Sequence, residues 1–387
     1  MKILFITDLY PLTEDEKTTP KTLYNFVKEW EKQGHTVDVI KPNFIFNSIL
    51  RKKPFYKTGY YGNILNINYL TPFMGSVLSK IKKNQSSFEV ETGIDKLSTN
   101  ANDVYDLTIA HMPSGILFAN RLKMPFVAGI HNSDLEVLTS PFYKFYFKKR
   151  LEKALCNSKA IACRSYVIKN KLLKLYPEFE QKTFVAPSGI DENIIISSKS
   201  YKEDGAVHDE LTTNAGKVST MRILTCANFK KRKNIDKLIL ACKEIKNIQL
   251  TVIGDGKIRK DLEKLDKNVI FTGWLKPQEV YEKMQKNDVF ILPSVNETFG
   301  MVYLEALANG CITVCTKNDG IDGIIKDSEN GFLTEPTING IKETILKIKQ
   351  LDESAKNQIV LNGFETVKSM TSAKCAENYL QQIFKIL

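Results

Sequence analysis

The sequence predicts an α/β protein built from two Rossmann-like parallel-sheet domains. Three observations lead there. The chain has 387 residues, more than a single ordinary core encloses. Short apolar runs alternate with helix-period stretches in both halves, and a polar interval with few large apolar residues separates them. With 43% hydrophobic and 26% charged residues, the composition is that of a folded soluble chain and excludes a disordered or fibrous one.

The first elements follow in order. KILFIT is a short apolar run, and KTLYNFVKEWEKQGH places Leu23, Phe26, Val27 and Trp30 at helical spacing before Gly34 ends the helix. TVDVIK is a second strand, so the chain opens as β-α-β, the unit of a parallel sheet. LTIAH (107–111), PFVAGIH (125–131) and KAIACRS (159–165) add strands, and the first domain is expected over 1–196. A linker is expected over 197–220, SSKSYKEDGAVHDELTTNAGKVST.

The second domain, expected over 221–372, alternates again. RILTCA, QLTVIG, NVIFTG, VFILPS and CITVCT are strands, with helices from Asn234, near 257–265, at Pro277–Lys286 and from Gly300. The helix at about 373–387, SAKCAENYLQQIFKIL, is expected to pack back on the first domain. Two such sheets offer a cleft between their carboxyl ends, where open parallel sheets bind ligands.

Seven cysteines without a CxxC pair are expected to be reduced and buried, as in a cytoplasmic protein. Four apolar residues between Lys2 and Thr7 are too few for a signal sequence, and no apolar stretch reaches the ~20 residues of a membrane-spanning helix. Charge is uneven: residues 1–200 carry 28 Lys and Arg against 19 Asp and Glu, the rest 27 against 25. The run PFYKFYFKKR and the loop Arg51–Lys57 mix basic and aromatic residues. That chemistry suits an anionic lipid surface; equally, Tyr143, Phe147 and Leu151 fit the core stripe of an ordinary helix. No nucleic-acid recognition motif accompanies the basic surface.

The residues with the most chemistry follow VFILPS. Glu297 falls in a loop, and Phe299, Gly300, Met301 and Val302 supply the first amides of the helix MVYLEALANG. Those amides lack partners inside the helix and, with its dipole, suit a phosphate. Glu305 lies just over one turn in, where an acceptor-only carboxylate can receive hydrogen bonds from a diol.

In this setting of strand, Pro-Ser, acid, Phe-Gly, helix and Gly, ETFGMVYLE resembles the donor-site motif of glycosyltransferase family 4, of the GT-B fold. ANFKKRKNIDKLILA (227–241) resembles the stretch that carries an Arg and a Lys for the donor pyrophosphate. Lys233 matches the Lys, whereas Asn228 stands at the Arg position, leaving Lys230, Lys231 or Arg232 as compensating cations. GDG, with Gly254, and GWLKPQEV, with Trp274 and Leu275, resemble the turn and the segment that meet the nucleotide. His131 matches a His near the transferred sugar, and His111 ends the preceding strand. The paired glycines usual after the first strand are missing from DLYPLTEDEKTTP.

The resemblance implies a retaining, metal-independent transfer of a sugar from a nucleotide-sugar, UDP-linked first among candidates, to a glycan or lipid-linked acceptor in bacterial cell-surface polysaccharide or glycolipid synthesis. Glu305 would bind the ribose, Phe299 to Met301 would supply amides to the phosphate and sugar with Val302 also at the donor, and Glu297 would contact the sugar hydroxyls, with His131, Glu297 and Lys233 in catalytic roles. No cofactor is expected: no two Asp stand two apart, as a D-x-D metal pair would, and no His/Cys cluster has ligand spacing. The enzyme would be cytoplasmic, peripheral on the inner face of the plasma membrane. Two other classes compete. A non-catalytic glycan-binding protein on the same fold would explain Asn228. A nucleotide-cofactor oxidoreductase would need G-x-G-x-x-G after the first strand, which is absent.

Overall fold

The computed structural model describes residues 1–13, 16, 19–44, 58–69, 105–143, 147–196 and 220–387. The chain forms two compact units. One comprises Met1–Arg164, Ile168–Ala186 and Cys375–Leu387; the other comprises Ser165–Val167 and Pro187–Lys374. The division therefore falls at Ala186–Pro187, ahead of the expected linker, whose residues 197–219 lie outside the described ones. The basic loop at 51–57 also lies outside them.

In the first unit, β1 (Lys2–Ile6), β2 (Thr36–Phe44), β3 (Gly59–Tyr61), β4 (Ile64–Tyr69), β5 (Leu107–His111), β6 (Val127–Ile130), β7 (Ala160–Cys163) and β8 (Thr183–Val185) make one sheet. Its order is β3-β4-β2-β1-β5-β6-β7-β8, parallel except that β3 runs antiparallel to β4. The helix α1 (Thr22–Lys32) buries Leu23, Phe26, Val27 and Trp30, the stripe its spacing predicts. It ends as a Schellman turn: His35 N–H donates to Trp30 O and Gly34 N–H to Glu31 O, both at 3.0 Å, with Gly34 at φ +86°.

The last helix, Ser372–Ile386, places Tyr379 in this core. The Tyr379 ring meets Phe26, Trp30 and Phe184 edge-on at 5.4, 5.5 and 5.7 Å, and Trp30 Nε1–H donates to Ala376 O at 2.9 Å. Each such ring contributes about 1.5–3 kcal/mol by leaving water. Of the aromatic run, Leu151 is buried and Phe147 half-buried against the core, while the Tyr143 side chain lies outside the described residues. Phe142 projects, 87% exposed.

The second unit has β9 (Met221–Cys226), β10 (Ile248–Ile253), β11 (Ile270–Gly273), β12 (Val289–Leu292), β13 (Ile312–Thr316) and β14 (Phe332–Thr334) in the order β11-β10-β9-β12-β13-β14, all parallel. Two helices begin one residue later than the sequence predicts, while the one expected from Pro277 begins there. Asn234 is left-handed at φ +51°, so the first helix of this unit is Ile235–Lys243; Gly300, at φ +94°, precedes the helix Met301–Ala308. The others are Arg259–Glu263, Pro277–Gln285, Ile338–Gln350 and Glu353–Ser369.

The parallel strand order switches direction between β1 and β5 in the first sheet and between β9 and β12 in the second. At such a point successive crossovers leave on opposite faces, so the loops after the two strands diverge and open a crevice at the carboxyl ends. Among the described residues no helix is long and apolar enough to cross a membrane. The described cysteines are unpaired; Cys156 is exposed and Cys226 intermediate, contrary to the expectation of uniform burial.

Candidate active site

In the second unit the loops after β9, β12 and β13 meet at this crevice. Val295 N–H donates to Arg232 O at 2.8 Å and Asn234 Nδ2 to Pro293 O at 2.7 Å, tying the first two loops together. Asp319, after β13, accepts Asn296 N–H at 2.6 Å and Glu297 N–H at 2.7 Å. Glu297 is thus held by its backbone, and its side chain turns to the β9 loop. There Glu297 Oε1 accepts from Arg232 Nη1 at 2.6 Å and from Lys233 Nζ. Burial alone would raise the Glu297 carboxyl; the Lys233 and Arg232 charges and their hydrogen bonds outweigh it and hold it below the usual range.

Behind the loop, Tyr303 anchors the helix to the sheet, donating to Leu292 O at 2.8 Å with Ser294 Oγ 3.1 Å away. The Phe299 ring is buried and fixes the turn into the helix. Among the described residues the amides of Phe299, Gly300, Met301 and Val302 have no acceptor. Glu305, half-buried on the same helix, has no side-chain hydrogen bond or ion pair among the described residues, and burial raises its pKa. It lies close enough to Cys226, at the end of β9, for its charge to add to the burial that pushes that thiol up to about 12.

Two further strand ends complete the rim. Phe229 N–H donates to Asp255 O at 2.8 Å and Gly254 N–H to Gly273 O at 2.9 Å. Gly254, at φ +119°, lies so close to β9 that a Cβ would stand 2.0 Å from Ala227 O, which explains why glycine is needed there. Trp274, just past β11, is 65% exposed, and Leu275 is half-buried.

The structure therefore gathers Lys233, Gly254, Trp274, Leu275, Glu297, Phe299, Gly300, Met301, Val302 and Glu305 on the carboxyl ends of β9 to β12 or the segments that follow them. Asn228 is exposed on the same loop without a side-chain partner among the described residues; the cation beside Lys233 is Arg232. The sequence reading missed Asp319, whose only signal is the turn Asn318-Asp319-Gly320 one strand later.

His131 belongs to the first unit, at the carboxyl end of β6. Its Nε2 lies 3.0 Å from His111 Nδ1, and His111 Nε2 lies 2.9 Å from the Tyr379 hydroxyl. Gly129 makes room for the His111 ring: a Cβ there would stand 2.1 Å from it. Burial first, then the Arg164 guanidinium, lowers His131 to about 3; burial, His131 and Arg164 lower His111 as well. Both imidazoles are neutral at physiological pH and can act only as neutral hydrogen-bonding groups. Asp134 accepts His131 N–H at 2.7 Å, and burial raises its carboxyl to about 8.

Residues 214–361 match the family model described as Glycosyl transferases group 1. The chain is 28% identical over 381 residues to an uncharacterized glycosyltransferase of Methanocaldococcus jannaschii, covering 97% of this chain and 95% of that one. It is 26% identical over 360 residues to the alpha-monoglucosyldiacylglycerol synthase of Streptococcus pneumoniae, covering 86% and 75%. Among solved structures it resembles Anabaena HepE in complex with UDP, at TM-score 0.65, 17% identity and 100% coverage of both chains. A sucrose-phosphate synthase from Thermosynechococcus elongatus gives TM-score 0.67 at 17% identity, covering 99% and 98%. The fold is that of the GT-B glycosyltransferases, and the segment holding the converging loops, residues 214–361, is the part that matches the group 1 glycosyl transferases.

Proposed function

We propose that the chain is a retaining glycosyltransferase of family 4 that moves a sugar from a nucleotide-sugar, a UDP-sugar first among candidates, to an acceptor hydroxyl. One observation carries the reading: Lys233, Arg232, four free amides and two glutamates with different surroundings meet at the switch point of the second sheet. Lys233, Arg232 and the amides of Phe299 to Val302 are preorganised donors for a diphosphate, whose charge grows as the sugar's anomeric C–O bond breaks. Glu305, unpaired and half-buried, suits the ribose diol, and Glu297 the sugar hydroxyls. Trp274 and Leu275 border the nucleobase, and neutral His131 supports the transferred sugar. The acceptor's proton leaves with the phosphate oxygen. Charge compensation in this scheme runs through side chains and amides, with no metal required.

A thermal-shift screen of UDP, GDP, ADP and their sugar conjugates tests the donor assignment. UDP is expected to raise the second unit's melting temperature, because a ligand at 100 times its Kd adds about 2.7 kcal/mol to the folded state. Glu305→Ala is expected to abolish that rise. No shift with any nucleotide would refute the assignment and favour the glycan-binding alternative, to which exposed Asn228 in the Arg position lends its weight.

For the acceptor we propose a membrane-linked glycan or glycolipid of the bacterial surface, made from the cytoplasmic side. The names of two relatives support this: the Streptococcus pneumoniae synthase above, and a putative teichuronic acid biosynthesis glycosyltransferase of Bacillus subtilis, 24% identical over 391 residues. Phe142, exposed and followed in sequence by Lys149 and Arg150, is the kind of residue that enters a headgroup layer. In liposome flotation the protein is expected to rise with phosphatidylglycerol vesicles and to be released by high salt. Equal behaviour with neutral and anionic vesicles would end the membrane part of the proposal.

A further inference from the structure

Glu297 is a carboxylate that shares one oxygen between two cations. The Arg232 guanidinium and the Lys233 ammonium both donate to Oε1, while Lys230 and Lys231 are exposed without such a partner among the described residues. The side chains of Lys233 and Glu297 are each 12% exposed and that of Arg232 is 40% exposed, so this is a partly dehydrated cluster with one more positive than negative charge. Its backbone is pinned by Asp319, and among the described residues the carboxylate itself is held by the two cations alone. Oε1 takes one N–H of each cation and offsets one of their two charges, so a diphosphate arriving between the β9 and β12 loops meets a carboxylate that competes for the same pair of cations. To use both cations fully it must displace that carboxylate, whose contacts are charge-assisted and stronger than neutral hydrogen bonds.

We propose that Glu297 is a built-in competitor for the diphosphate, holding the anion place of Arg232 and Lys233 whenever no donor is bound. This rests on the reading of the site as a nucleotide-sugar site. An intact donor displaces the carboxylate and at the same time offers it sugar hydroxyls as new partners. A nucleoside diphosphate without its sugar displaces the carboxylate and offers nothing in return. After transfer, Glu297 therefore swings back onto the two cations and drives the product out. The same side chain favours the loaded donor on entry and disfavours the spent nucleotide on exit, because a ligand's affinity reflects the difference between its own contacts and those it must break.

Calorimetric titration with UDP and GDP tests this on the full chain. Glu297→Gln keeps the shape and removes the competing charge, so it is expected to bind UDP about tenfold more tightly than the parent, the effect of about 1.4 kcal/mol, while its turnover falls. Glu297→Ala is expected to do the same, which guards against a fold defect peculiar to one variant; circular dichroism confirms that each is folded. Arg232→Gln should weaken UDP binding more in the Glu297→Gln background than in the parent, since only in the parent does Arg232 give up a partner to bind. UDP that binds the parent but binds both Glu297 variants equally or more weakly overturns the competitor. Neither diphosphate binding any folded form sinks the nucleotide reading and the competitor with it.

Discussion

Lys233→Ala is expected to lower kcat/KM for nucleotide-sugar turnover by about 10²–10³. Removing one preorganised donor from the position where charge develops typically costs that much. The Lys233 amine is 12% exposed and shares Glu297 with Arg232. Its loss therefore removes a diphosphate contact and leaves Glu297 with a single cation, 40% exposed and closer to solvent. Lys233→Arg is expected to recover only part of the activity, because a planar fork does not occupy the space of a point charge. Lys231→Ala, on an exposed lysine of the same loop, is expected to stay within about twofold of the parent. Steady-state kinetics on the three variants decides the matter: equal losses at Lys231 and Lys233 would show that the loop acts through its net charge and not through this contact.

The second large effect concerns stability of the first unit against pH. His111 and His131 have folded pKa values below the unfolded value of about 6.5. Their contribution is fully present above about pH 6.5 and is lost as pH falls toward the folded values, because the unfolded chain binds the extra protons. Asp134 acts in the opposite sense. Its folded pKa, about 8, exceeds the unfolded one, so its contribution is lost as pH rises toward 8. The groups packed around them, Arg164, Tyr379 and Cys163, keep their charge states across this range. Between pH 6.5 and 4.5 two imidazoles oppose one carboxyl, so the slope grows from zero at pH 6.5, where the unfolded imidazoles are half protonated, to about one proton, about 1.4 kcal/mol per pH unit, at the acid end. The first unit should therefore lose about 2 kcal/mol on going from pH 6.5 to 4.5, a sizeable share of a typical domain's stability. It should also weaken toward pH 8 as Asp134 ionises. Denaturant unfolding followed across that range should peak near pH 6.5, and His111→Asn should flatten the acid limb. A profile level from pH 4.5 to 6.5 would contradict the neutral histidine pair.

Elements dictated by short-range periodicity were legible in the sequence. LTIAH is β5 residue for residue, and α1 buries the four residues its spacing selects. Elements whose pattern is made by distant partners were not. The pair Gly59–Tyr61 and Ile64–Tyr69 contains the alternation Asn66, Ile67, Asn68 and only three or six residues, and it is a strand pair because β2 supplies an edge. The helix Met112–Leu122, not among the expected elements, follows β5 without a loop, through Met112 at φ +68°, with Pro113 and Gly115 in its first turn. The site divides the same way. The acids, amides and Lys233 lie within motifs of a few residues. Asp319 and Arg232 gain their positions from crossovers that return separate loops to one place, which no local spacing encodes.

The return of Cys375–Leu387 to the first unit has a consequence for how the protein is made. Ribosomal synthesis delivers Trp30 and His111 early, yet the carbonyl of Ala376 and the hydroxyl of Tyr379 that satisfy them come 346 and 268 residues later. Apart from Ser165–Val167, the second unit lies between Pro187 and Lys374, so its closure does not wait for Cys375–Leu387. The unit begun first is completed last. A chain halted before Ala376 would leave Trp30 and His111 without these partners.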